Sequence, residues 1–108
     1  MERFLALICI LVITGCGSSE QTVESIIQAA SNGSLKVGES VKFSGEAYEI
    51  IGNGVVIRPS EGLGIIAEGA GGIGVEKDKS YHFECKVKSY AINDKVKIVN
   101  VDNCSVRQ

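Results

Sequence analysis

"VKFSGEAYEII", residues 41–51, is the stretch on which the fold turns. Val41 and Phe43 lie on one side with Lys42 and Ser44 on the other, the period of two that marks a strand with one covered face. After Gly45 the phase slips, and Tyr48 and Ile50 become the apolar set. A glycine where the alternation breaks predicts a bulge or a sharp bend. A long first strand bent in its middle can pair in both halves of a sheet, which is how a small barrel closes.

The flanking sequence supplies the other strands. Gly52-Asn53-Gly54 is a hairpin turn leading into "VVIR", which Pro59 and the turn Ser60-Glu61-Gly62 bring to a stop, and "LGIIAE" follows as a third strand. In "SYHFECKVKSY", residues 80–90, Tyr81, Phe83, Cys85 and Val87 face in while His82, Glu84, Lys86 and Lys88 face out. Asn93-Asp94 turns the chain into "KVKIVNVDNCSV", residues 95–106. Val96 and Ile98 take the inward phase there. Val99 and Val101 are apolar as well, so this fifth strand has a bulge or two covered faces. Upstream, Val23, Ile26, Ile27 and Ala30 fall at i, i+3, i+4 and i+7 and predict an amphipathic helix over Glu20 to Ser31 that packs on the domain. Ser18 with Gln21 resembles a capping box, and Asn32-Gly33 supplies the stop. The expected fold is mainly β, five antiparallel strands in a small Greek-key barrel with one N-terminal helix.

The N-terminus, "MERFLALICILVITGC", carries Arg3 ahead of an apolar run from Phe4 to Ile13. At 1.5 Å per residue the run spans roughly 15 Å, about half a bilayer core, so it suits the apolar region of a secretory signal and cannot span a membrane. Ile13-Thr14-Gly15-Cys16 resembles the bacterial lipobox. That resemblance implies cleavage before Cys16, acylation of Cys16 (palmitate among the chains) and a stable multi-chain membrane anchor. Gly17 in the next position implies the periplasmic face of the outer membrane. Residues 1–15 are then a signal peptide, 16–22 a lipidated cysteine with a short polar tether, and 23–108 the barrel domain with its helix.

Loss of Arg3 and Glu2 with the leader leaves the net charge at −2, which offers no general field for nucleic acid. Cys9 leaves with the signal and Cys16 takes the lipid, so Cys85 and Cys104 remain, either as one disulfide in an oxidising compartment or as two free thiols. A tight hairpin on Asn93-Asp94 sets Cys85 opposite Asp102, two residues short of Cys104, and a bulge near Ile98-Val99 would close the gap. "LKVGESVKFSGEAYEI", "VEKDKSYHFECKV" and "VKIVNVDNCSV" together resemble the secreted OB-fold proteins of the tRNA anticodon-binding-like family. The resemblance implies an OB-like barrel. The helix usual between the third and fourth strands is replaced here by glycines, and the family's nucleic-acid name does not transfer with the fold.

"GAGGIG", Gly69 to Gly74, spells a dinucleotide fingerprint but no helix opens after it, so it reads as a flexible loop. His82, the single histidine, has no partners at catalytic or metal spacing and reads as a surface residue; no cofactor, metal site or catalytic function is expected. Lys86, Lys88, Lys95 and Lys97 are expected on the outward face of the last hairpin, as sheet protection or as a basic patch for an acidic partner. OB barrels bind through strands two and three with the first and fourth loops, which here implies Tyr48, Asn53, Arg58, Tyr90 and Asn93. The functional expectation is a lipid-anchored envelope binding module for a protein or glycan. The alternative is an inhibitor or exclusion lipoprotein acting against a lysozyme, phage or plasmid, since "VDNCSV" resembles the ending of lipoprotein lysozyme inhibitors.

Overall fold

In the computed structural model, which describes residues 20–108, the amphipathic stretch forms helix α1 (Val23–Ser31) and the alternating stretches form five strands. These are β1 (Ser40–Ile51), β2 (Gly54–Ser60), β3 (Leu63–Ala67), β4 (Ser80–Ile92) and β5 (Lys97–Arg107). The expected lipidation site Cys16, the expected leader and Ser18 lie outside the described residues. The strands close into a barrel in the order β1-β2-β3-β5-β4, consistent with an OB-like fold. The barrel is mixed, not wholly antiparallel as expected, because β3 and β5 pair in parallel from Leu63↔Lys97 to Ala67↔Val101. The reason is topological: a closed ring with an odd number of strands cannot alternate direction all the way round.

β1 is the strand that joins the two halves. Ser40 to Glu46 pair with β4, and Ala47 to Ile51 pair with β2. The expected slip at Gly45 falls later. Ala47 is fully buried in phase with Val41 and Phe43, and the register shifts between Ala47 and Glu49. Tyr48 is therefore the bulged residue and faces outward, 44% exposed. Gly45 is needed for a different reason, since a Cβ there would stand 2.6 Å from Ile57 Cγ2 where β1 crosses β2.

Phe43 and Phe83 are directly opposed across β1 and β4, with ring centroids 5.1 Å apart. Val55, Ile57, Ile65, Val99 and Val101 complete the interior, and no polar or charged side chain is fully buried among the described residues. Helix α1 starts at Val23, not at Glu20, because Thr22 caps it: its hydroxyl accepts from the Ser25 N–H at 3.0 Å. Gln21 instead joins the sheet, donating to the Lys42 carbonyl at 2.7 Å. The helix ends as expected, with Gly33 at φ +80° and the Ser34 N–H returning to the Ala29 carbonyl, a Schellman closure. Its whole stripe is buried against β1, β3, β4 and β5.

The β4–β5 hairpin settles the cysteines. Its turn is longer than expected: the Asn93 side-chain carbonyl accepts from the Lys95 and Val96 N–H groups, both at 2.8 Å, and pairing begins at Ile92↔Lys97. That longer turn supplies the two missing residues. Bulges lie at Lys88 on β4 and at Asn103 on β5, not at Ile98-Val99, and because they are on opposite strands they cancel. Asn103 takes the left-handed conformation, φ +51°. Cys85 and Cys104 meet in a disulfide with Cα atoms 4.1 Å apart. Val99 and Val101 hold the inward phase of β5, while Val96 sits in the turn and Ile98 faces out.

Candidate binding face

The outer surface of β2 and β3 is where the molecule departs from ordinary patterning. Val55 and Ile57 face in and oppose Ala67 and Ile65; between them Val56 and Ile66 oppose each other on the outside. The same outward layer carries Ile98, brought beside Gly64 by the parallel pairing. Ile51, 63% exposed, and Val96, 38% exposed, extend it at opposite ends. Gly54 and Gly64 add no side chains and leave two shallow depressions of about 510 Å³ and 130 Å³ that share Val56 and Ile66. Val56, Ile66 and Ile98 are half-buried and Ile51 and Val96 are exposed, and an outward-facing apolar layer of this kind is a candidate interaction surface.

Two of the five residues implied by the OB resemblance are brought together on this face. Tyr48, lifted out by its bulge, lies under the Arg58 guanidinium, whose carbon sits 5.1 Å from the ring centroid, and Arg58 Nη1 donates to the Tyr48 hydroxyl at 2.9 Å. The pair holds Arg58 over the end of the apolar strip. Asn53 lines the other end, with its carbonyl accepting from the Gly71 N–H at 2.8 Å. Tyr90 and Asn93 are elsewhere in purpose: Tyr90 follows the inward phase and donates to the Leu35 carbonyl at 3.1 Å, and Asn93 builds its own turn. Val56, Ile66, Ile98, Ile51 and Val96 were not singled out from sequence. Their signal was present in the runs Val55-Val56-Ile57 and Ile65-Ile66, apolar on consecutive residues where a one-faced strand would alternate.

The four lysines do not form one patch. Lys88 Nζ binds Glu68 Oε1 at 2.7 Å, and that hydrogen bond, with the charge behind it, raises the Lys88 pKa above the usual lysine value. Lys86 lies opposite Asp102. Lys95 belongs to the turn, and Lys97, paired with Ile92, follows the inward phase of Val99 at the barrel end. "GAGGIG" is not a free loop: Ala70–Ile73 form a single 3-10 turn with Ala70 fully buried and the Gly71 N–H bound to Asn53. His82 is half-exposed and its Nδ1 lies 2.6 Å from Glu20 Oε2. The hydrogen bond from His82, joined by its charge, Ser44 and Arg107, holds the Glu20 carboxyl below its ordinary value. No cluster of metal-ligating side chains occurs among the described residues.

No protein family, curated protein or solved structure matches this chain. The face must be interpreted from its own chemistry.

Proposed function

We propose that this protein is a non-catalytic binding module, lipid-anchored at Cys16 in the cell envelope, that engages a protein partner through the outer face of β2 and β3. The observation that carries the reading is the outward-facing, half-buried aliphatic layer of Val56, Ile66 and Ile98, continued by the exposed Ile51 and Val96 and edged by Tyr48 and Arg58. An OB-like barrel commonly binds on these strands. Aliphatic contact with an arginine and a tyrosine at its edge matches the make-up of protein interfaces, where Tyr and Arg dominate the energetics. A glycan would be better served by an aromatic platform and convergent polar groups, and nucleic acid by a basic stripe, which Lys88–Glu68 and Lys86 opposite Asp102 do not make.

The test is cross-linking in intact cells followed by mass spectrometry of what co-purifies, with Ile66→Lys alongside. Capture of a recurrent protein that Ile66→Lys abolishes is the expected result, and a captured hydrolase or uptake protein would define the module as an inhibitor. Capture that is indifferent to Ile66→Lys would remove the face from the reading. Loss of acyl label and of membrane retention in Cys16→Ser tests the anchor separately.

A further inference from the structure

We infer that the partner of this face is a second copy of the same chain, docked about a two-fold axis. The inference rests on the reading of the β2–β3 surface as the binding face and names its occupant. The register supplies the argument. Val56 and Ile66 are directly opposed at the centre. Arg58 lies two residues onward along β2, and Glu68 lies two residues beyond Ile66, just past the end of β3. Because β2 and β3 are antiparallel, those two steps lead in opposite directions. Arg58 and Glu68 therefore stand diagonally across the apolar pair, one cation and one carboxylate at opposite ends of the same strip.

A pattern with opposite charges placed diagonally about an apolar centre is complementary to itself. A two-fold axis lying in the contact plane and running across the strands through the Val56–Ile66 pair sets Val56 and Ile66 of each copy against their own counterparts in the other. The same operation brings each Arg58 alongside Glu68 of the second copy, so one pairing is made twice, as an isologous contact requires. Both charged groups have capacity left for the contact. Among the described residues the Arg58 guanidinium makes one hydrogen bond, to Tyr48, and Glu68 receives Lys88 through Oε1.

The experiment places a photo-cross-linking amino acid at Ile51 and, in a separate variant, at Val96, both exposed at the edges of the strip, in the full chain in its native membrane. The expected product has twice the mass of the chain. Arg58→Glu alone and Glu68→Arg alone should each lower its yield by about tenfold or more, and the double exchange should restore it, because both intermolecular pairs are then re-formed with reversed sign. Lys88→Gln, which removes only the intramolecular partner of Glu68, should leave the yield unchanged. A cross-linked product of any other mass overturns the second-copy inference and leaves the binding-face reading standing. A dimer indifferent to the charge exchange overturns the Arg58–Glu68 arrangement. No product at either position, from chains with a normal cooperative melt, overturns both.

Discussion

β4 and the β2–β3 pair sit in one barrel and obey different rules. Along β4, Tyr81, Phe83, Cys85 and Val87 are buried while the residues between them are charged or polar. Along β2 and β3 the inward residues are apolar, and so are Val56 and Ile66 on the outside. The inward halves are the same hydrophobic interior seen from two sides. The contrast lies in the outward halves, where β4 is charged and polar and β2–β3 is aliphatic. Burial explains the first half of each pattern and leaves only the second as information about function.

That comparison can be broken at several points. The largest effect belongs to the shared interior: Phe83→Ala removes half of the stacked pair with Phe43 and should cost about 3–5 kcal/mol in denaturant unfolding. Replacing both cysteines by serine opens the link across the β4–β5 hairpin, and should lower stability by about 3 kcal/mol. A melt unchanged by reductant would contradict it. On the outer faces the two regions should part company. Ile66→Lys should change stability by only about 1 kcal/mol yet abolish partner capture. Lys86→Glu on β4 should alter stability by about 0.5 kcal/mol or less and leave capture intact. If both substitutions affected capture alike, the distinction between the two outer surfaces would fail. The smallest effect is electrostatic. The Glu20 carboxyl is held below its ordinary value of 4.5 chiefly by the His82 hydrogen bond, so the stability it contributes is lost as the pH falls through the acidic range below that value. The stability gap between the wild type and Glu20→Gln should thus shrink in acid, as read from unfolding curves across that range.

Much of the fold could be read from residue order because it depends on local period and turn chemistry. The five strands, the helix stripe and the Gly52-Asn53 and Asn32-Gly33 stops all rest on neighbours in sequence. The errors came where two strands must be compared. Tyr48 and Ala47 compete for the interior after Gly45, and the pairing of Ala47 with Ile57 and the register shift after it leave Ala47 inside. The Cys85–Cys104 offset depends on the Asn93 side chain holding a longer turn, which the residue pair Asn-Asp does not by itself specify. That a closed five-stranded ring holds a parallel pair follows from parity, and the strand order puts it between β3 and β5. The binding face was half legible: Tyr48 and Arg58 came from the OB resemblance, while the aliphatic layer lay in consecutive apolar residues that pass for ordinary core until both sides of the sheet are seen.

The division of β1 between two partners bears on how this barrel can come apart. One continuous backbone, Ser40–Ile51, is hydrogen-bonded to β4 over its first part and to β2 over its second, and Ala47 at the junction exchanges hydrogen bonds with the segment just before β4, donating to Lys79 and accepting from Asp78. Neither hairpin can peel away without pulling on the strand that the other one needs. Slow-exchanging amides should then fall on both sides of the junction with one common opening free energy, because the two halves share a single cooperative unit. Such a domain has no loosened half to offer a protease.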